Sequence, residues 1–442
     1  MEAVCRPDQG RRIIRCMVFN MFKILSLPRN IRIIWFGQFF AISGLTIIVP
    51  LLPFYMTELG ASDPADNRLW TGLSLAAPAV MLGLVSPVWG KCGDRWGRKW
   101  MVVRALLGLA ASLALMAMAQ SPLQFFLFRL LQGACGGIVD TASAFAVSEA
   151  PEKERGMVLG KLQSATAAGS LMGPLLGGIA ADWIGFRPML LTMGLLTGIS
   201  GCLAVFFLQE SKRKGSASAD SDKKQTKWTL EIIDLLGHRR IRGFLIAGIF
   251  MQMGVFGLVT VFAPHVQGMS GLNNYASTWV GVLQAVTWAG SMAGSPWWGQ
   301  RNDRVMIERN VFLASIGCGV SILLQAVPQQ PEWLIPLRVC QGFCFAALVQ
   351  SIFLAVTQES GELNRGVRLG AANSFLVMGQ ILGPLLAAAM GSILSTAWTI
   401  AFMGVCFFLG AASIRMSHSR QLAHAKKNRE VTNEKWQKGK VI

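Results

Sequence analysis

Along almost the whole chain, apolar stretches alternate with short polar, charged or glycine-bearing breaks. The stretches run to about 20 residues, the length at which a helix covers the hydrocarbon core of a bilayer. Twelve are read, near positions 31–56, 70–90, 100–119, 123–147, 157–180 and 188–209, then 241–264, 277–299, 310–327, 333–357, 367–391 and 395–415. Between the two sets lies "QESKRKGSASADSDKKQTKW" (209–228), polar and rich in Gly, Ser and Lys, the composition of a flexible linker. The pattern predicts an all-α membrane protein with twelve transmembrane helices in two six-helix bundles. Its parts are a tail over 1–30, a bundle over 31–209, a linker over 210–240, a second bundle over 241–415 and a basic tail over 416–442. No short apolar segment with a cleavage site precedes the first stretch, so the spans themselves are expected to direct insertion.

The two sets of six read as copies. Ser86, Pro87, Trp89, Gly90, Asp94 and Arg95 return as Ser295, Pro296, Trp298, Gly299, Asp303 and Arg304, all shifted by 209. The same shift lays "FRLLQG" (128–133) on "LRVCQG" (337–342). A shift of 210 lays "RGMVLGKLQSATAAGSLMGPLL" (155–176) on "RGVRLGAANSFLVMGQILGPLL" (365–386). Three segments in one order at nearly one shift mark a tandem duplication of a six-helix unit. An even number of spans per unit inserts both copies in the same orientation, as pseudo-symmetric bundles about an axis along the membrane normal. Repeats of this kind build secondary transporters, whose halves rock about a site near the midplane.

Charge changes the picture next. Only 14% of the 442 residues are charged, well below the roughly 25% of a soluble domain. A net charge of +18 would suggest nucleic acid in a soluble protein. Here Lys and Arg gather in the first tail, in alternate loops, in the linker and beyond position 415, while the intervening loops carry little more than Arg68 and Arg187. That is the positive-inside pattern. It argues against a nucleic-acid partner and is expected to place both termini in the cytoplasm. The nine cysteines are scattered, many of them within apolar spans, as small buried packers rather than metal ligands, so no metal and no cofactor is expected. No GxxxxGK[ST] run appears, which argues against ATP as the energy source. The linker is too short for a catalytic domain, so no enzyme is expected.

Five segments carry a family likeness. They are "GKCGDRWGRK" (90–99) between spans two and three, "RLLQGACGG" (129–137) in span four and "GSLMGPLLGG" (169–178) in span five. With them go "VPLLPFYMTELG" (49–60) in span one and "ADWIGFRP" (181–188) before span six. In these the chain resembles the major facilitator superfamily, specifically its twelve-span drug:proton antiporter branch and the bacterial MdtG-type exporters, over nearly its whole length. The resemblance implies that Gly90, Asp94, Arg95, Gly97 and Arg98 form a latch between the halves on the cytoplasmic side, with Glu149 as a partner. Asp303 and Arg304 keep a weaker second copy. Simple anchoring of topology by Arg95 and Arg98 is the alternative. It also implies that Gly169, Gly173, Pro174, Gly177 and Gly178 form the antiporter helix motif. Small residues there let helices approach closely and proline bends them.

Charges inside spans are costly unless paired or hydrated. Arg129 and Arg338 are such charges, at equivalent positions of the two copies. The resemblance implicates Arg129 in proton coupling, and a structural role is the alternative for Arg338. Asp140 is the one carboxylate well inside a predicted span, and its equivalent is Val349. In a continuous helix it shares a face with Arg129 roughly 16 Å away, too far for an ion pair. An aspartate without a partner in apolar surroundings is able to load and release a proton, so Asp140 is read as the proton site or a substrate contact; a hydrogen-bonded structural aspartate is the alternative. Gln38, Ser43, Thr46, Gln163, Gln252, Gln284, Trp288, Gln350, Asn373 and Gln380 are candidate cavity residues, though each taken alone reads first as an interhelical hydrogen bond or lipid-facing bulk. His265, near the end of span seven, can titrate or simply sit at the interface. The expected function is proton-coupled export of small organic molecules such as drugs by a monomer in the lipid bilayer. Export of a siderophore or another polar metabolite, or import by the same fold, is the alternative.

Overall fold

A computed structural model describes residues 28–151, 154–210, 237–269, 275–359 and 365–438. Most of the first tail, the linker over 211–236 and the last four residues lie outside the described residues, as does the side chain of Asp94. The described chain is helical, and its helices make the twelve expected spans. The first span joins Arg29–Ile47 to Leu52–Glu58 through a 3-10 turn at Val49–Leu51. The second is Pro64–Trp96, the third Arg98–Ala117, the fourth Pro122–Ala134 with Ile138–Glu149, the fifth Arg155–Ile184 and the sixth Phe186–Phe207. The seventh to twelfth are Arg239–Gln267, Ala276–Asn302, Ile307–Leu324, Leu334–Gln358, Arg365–Ile393 and Thr396–Lys438. The tail expected from position 416 thus continues the twelfth helix as far as Lys438.

Local chemistry sets the helix starts. Asp63 accepts from the amides of Ala65 and Asp66 and is followed by Pro64, so the second span begins with a side-chain cap and a preset φ. Ser121 and Pro122 open the fourth span in the same way, with Ser121 accepting from the Gln124 amide. The reversal between the second and third spans turns on Gly97, whose φ of 92° a side chain would resist. Glu210 then accepts from the amides of Arg98 (3.0 Å) and Lys99 (3.2 Å), satisfying the free end of the third span.

Ten of these segments are long and apolar enough to cross a membrane on composition. The fifth (30 residues) and eighth (27 residues) are as long but richer in small and polar residues. Each packs against the other at the seam between the bundles.

The duplication read from sequence is visible in the packing. First packs on fifth as seventh packs on eleventh; third on sixth as ninth on twelfth; second on fourth as eighth on tenth. The bundles, here called lobes, meet through two equivalent pairs, fifth on eighth and second on eleventh. One end of the molecule carries Arg95, Arg98, Lys99, Arg155, Arg240, Arg301, Arg304 and Arg309 and is called the basic end. The opposite end carries Arg68 and Arg187 beside Glu58, Asp63, Asp66 and Asp182.

Three glycine pairs show how the lobes diverge between these ends. Each pair is 18 residues apart, about five whole turns, so its members share a helix face. A Cβ on Gly72 in the second span would lie 2.8 Å from the Pro384 carbonyl of the other lobe, and one on Gly90 would meet nothing within 4 Å. A Cβ on Gly178 in the fifth span would strike the Ser277 carbonyl; one on Gly160 meets nothing. Gly281 in the eighth span abuts the Pro174 carbonyl, and Gly299 is clear. The lobes are pressed together at the end opposite the basic one and part toward the basic end. The molecule is a wedge-shaped cleft closed at one side.

Candidate functional site

The closed end of the cleft is built from backbone. Gly72 faces Pro384 across one seam and Gly281 faces Pro174 across the other, and these are equivalent positions of the two copies. The antiporter motif therefore divides its work. Gly169, Gly173 and Gly177 receive the first span of their own lobe, at the Phe39 carbonyl, Ser43 and Ile47, whereas Pro174 and Gly178 meet the eighth span of the other. Side chains bolt the contact. Asp182 accepts from the Thr278 amide at 2.7 Å and so caps the eighth span from the opposite lobe, while the Thr278 hydroxyl donates to the Gly178 carbonyl at 3.4 Å. On the second seam Arg68 donates to the Gly391 carbonyl.

Arg129 and Arg338 are each 3% exposed. Arg129 donates to the Ser74 carbonyl (3.0 Å) and to Gln132 Oε1 (2.5 Å). Arg338 donates to Gln341 Oε1 (3.3 Å) and lies over the Phe262 ring, 3.4 Å from its centroid. Gln132 and Gln341 are again equivalent positions. In the second lobe the network runs on, from Gln341 to Gln325 Nε2 at 2.9 Å and from the Gln325 carbonyl to His265 at 2.9 Å. Neither guanidinium has a carboxylate partner among the described residues. Arg129 lies seven residues past Pro122, and Arg338 seven past the equivalent Pro331 in the turn that leads into the tenth span, each roughly 10 Å inside the closed end.

The expected continuous face between Arg129 and Asp140 does not form, because the fourth span is broken. Its first half stops at Ala134; Gly137 takes φ 92° and ψ 24°, a left-handed conformation that suits glycine, and a second helix starts at Ile138. "CGG" permits the break, and the equivalent "CFA" (344–346) stands in an unbroken tenth span. Asp140 stands in the first turn of the second half-helix. It is exposed, on the side opposite Ile138, Ala142, Phe145 and Ala146, which are buried.

The remaining candidates fall into two groups. Gln38 is fully buried and donates to Thr166 Oγ1 (2.6 Å) and the Leu162 carbonyl (3.2 Å); Ser43 and Thr46 reach the Gly169 carbonyl. These three tie the first span to the fifth. Gln252 is buried beneath Gly379, and Gln350 donates to the Ser295 carbonyl at 3.4 Å. Gln163 and Asn373, equivalent positions, are exposed, and Gln163 lies one turn from Gly160 on the uncovered side of the fifth span. Trp288 lies between Gly281 and Gly299 on the face that looks into the wedge, with Gln284 one turn before it and Gln380 half-buried in the eleventh span.

At the basic end, Arg98 donates to the Ala144 carbonyl at 2.9 Å within its own lobe. Arg95, Asp303 and Arg304 are exposed there, Gly90 is clear of neighbours, and Glu149 ends the fourth span. A further cluster joins Arg240 to Glu308 (2.7 Å) and to Glu359 (2.8 Å), holding the seventh, ninth and tenth spans together. Residue type alone does not single out Gly72, Gly281, Arg104 or Asp182. The 209-residue shift would have paired Gly72 with Gly281, since both follow a tryptophan by two residues.

Two duplicated six-span lobes that close on a glycine–proline seam and open as a wedge define a membrane transporter that works between two lobes. The chain belongs to the Major Facilitator Superfamily, whose family model matches residues 34–324 and 280–441. It is 40% identical to the staphyloferrin B transporter of Staphylococcus aureus over 378 residues, 86% of this chain and 90% of that protein. It is 27% identical to the multidrug resistance protein MdtG of Salmonella arizonae over 369 residues, 83% and 90% of the two chains. Among solved structures, a bacterial homolog of the human lysosomal transporter Spinster, inward-facing and occupied, superposes with a TM-score of 0.71 at 14% identity, covering 88% of this chain and 96% of that one. The chain is thus a transporter of that superfamily and not an enzyme.

Proposed function

We propose that this transporter exports an anionic metal chelator of the staphyloferrin B class across a bacterial inner membrane in exchange for protons. The observation that carries the reading is the pair of buried guanidiniums, Arg129 and Arg338, one per lobe at equal depth and each without a carboxylate partner among the described residues. Cations held in a low-dielectric wall project their field into the adjacent cleft, which attracts an anion and repels a cationic drug. The 40% identity to a staphyloferrin B transporter supports the same class of cargo. With the basic end in the cytoplasm, as the positive-inside pattern implies, the cleft receives cargo from inside. Asp140, exposed and without a hydrogen-bond or ion-pair partner among the described residues, is the proposed proton carrier. When the lobes rock, the segment 90–98 and its copy at Asp303 and Arg304 meet at the basic end as the latch.

Proteoliposomes holding the full chain, loaded under an imposed pH gradient, test this. Staphyloferrin B should accumulate on the acidic side, and an uncoupler should abolish the uptake. Ethidium moved under the same gradient while staphyloferrin B is not would overturn the assignment in favour of cationic drugs.

A further inference from the structure

In a continuous helix the Ala134 carbonyl would accept from the Ile138 amide, and the Gly136 carbonyl from the Asp140 amide, four residues on. In the fourth span both carbonyls are taken by side chains from neighbouring spans. Arg104 of the third span donates Nη2 to the Gly136 carbonyl (3.1 Å) and Nη1 to that of Ala134 (3.5 Å). Trp89 of the second span donates its indole to the Ala134 carbonyl at 2.7 Å, and the Arg104 guanidinium lies over the Trp89 ring, 3.9 Å from its centroid.

The second lobe is an internal control. Trp298, equivalent to Trp89, donates to the Phe343 carbonyl at 2.9 Å, yet the tenth span runs unbroken from Leu334 to Gln358. A tryptophan on the carbonyl therefore does not break a span, since a carbonyl has a second lone pair to give. At the 209 shift the second lobe has Leu313 for Arg104, Phe345 and Ala346 for Gly136 and Gly137, and Val349 for Asp140. At these positions arginine, glycine pair and carboxylate occur together in one lobe and are replaced together in the other.

We infer that Arg104 is the positioning residue for Asp140: with Trp89 on the same carbonyl it fills both lone pairs of Ala134, denies the Ile138 amide its helical acceptor, and so keeps the fourth span broken and sets where the carboxylate points. The inference rests on the proposed role of Asp140. Without the guanidinium, the Ile138 amide regains its helical acceptor at Ala134, the helix runs on, and Asp140 turns toward the face that carries Arg129. Lysine keeps the charge but not the fork that spans two carbonyls.

Hydrogen exchange followed by mass spectrometry on the full chain in nanodiscs, over peptides covering 133–142, reads the break without any cargo. Arg104→Leu should slow exchange at positions 138–140 at least tenfold, with Arg104→Lys between it and the wild type. In proteoliposomes with staphyloferrin B as probe, Arg104→Leu should flatten the pH profile of gradient-driven transport while leaving gradient-free exchange of the chelator. Unchanged protection at 138–140 in Arg104→Leu, or in Arg104→Lys where the leucine variant does not fold, overturns the inference; so does a wild-type pH profile in the leucine variant. If the wild-type protein moves no staphyloferrin B, the cargo assignment fails, and the exchange measurement still decides the role of Arg104.

Discussion

Replacing Gly178 by alanine drives a methyl group into the seam that shuts the cleft. The new Cβ would strike the Ser277 carbonyl and lie 3.0 Å from Thr278 Cα and 3.1 Å from Gly281 Cα. All three are backbone, so no side-chain rotation relieves the overlap. Overpacking of this kind costs about 1–3 kcal/mol. Alanine also gains up to about 1 kcal/mol over glycine in a helix, so the comparison is with Gly160→Ala on the same face, where nothing stands within 4 Å. The state parted at this end does not bear the clash. Its population relative to the closed state should therefore rise roughly 5- to 150-fold, at tenfold per 1.4 kcal/mol. Spin labels at Ser62 and Ser395, exposed positions on opposite lobes at this end, report the separation in a cysteine-free background. Gly178→Ala should add a longer distance that Gly160→Ala lacks. Identical distance distributions in the two variants would refute the wedge and with it the assignment of the closed end.

Asp140→Asn should insert normally and bring gradient-driven transport in proteoliposomes down to the level seen with an uncoupler, while cargo exchange without a gradient persists. Asp182→Ala removes a cap supplied across the seam; caps contribute about 0.5–2 kcal/mol, so the Ser62–Ser395 distance should lengthen in part of the population, less than in Gly178→Ala. Arg240→Ala leaves Glu308, whose side chain is 11% exposed, without its partly buried donor, and should destabilise the detergent-solubilised protein by about 1–3 kcal/mol, read as a lower unfolding temperature.

Much of this architecture is legible in the residues because the bilayer imposes a strict length and the duplication doubles every signal. The twelve spans, their order and the shift of 209 follow from apolar runs and from motifs such as "SPVWG" and "SPWWG". The break in the fourth span is less accessible. "CGG" marks a weak point, but whether a helix breaks there depends on Arg104, which is 32 residues from Gly136 and adjacent only through the packing of the third span on the fourth. Helical periodicity across 129–140 assumes the continuity that this arginine removes. The clasp at the closed end is hidden for a related reason. Glycine type is common in the spans, and only the pairing of Gly72 with Pro384 and Gly281 with Pro174 across the lobes distinguishes these two from glycines that merely pack inside one bundle. Gln38 shows the opposite limit: a polar side chain in an apolar span invites a cavity role, and its two hydrogen bonds to the fifth span use it as a brace.

The pattern of what the two copies share separates mechanics from chemistry. A rocking motion about an axis between the lobes requires matching contacts on both sides of that axis, because one stiff seam and one loose seam would twist the lobes rather than part them. The glycine–proline contacts obey that requirement: Gly72 with Pro384 and Gly281 with Pro174 are exchanged by the symmetry of the duplication. The buried arginines obey it too, each with a glutamine three residues on, as an attractive field for one cargo held between both lobes should. Coupling to a proton has no such requirement, since one titrating group suffices for one exchange. Only the first lobe carries Asp140, the Gly136–Gly137 break and the arginine that holds it. On the proposed role of Asp140, the fourth and tenth spans diverge because one exchange needs only one proton site.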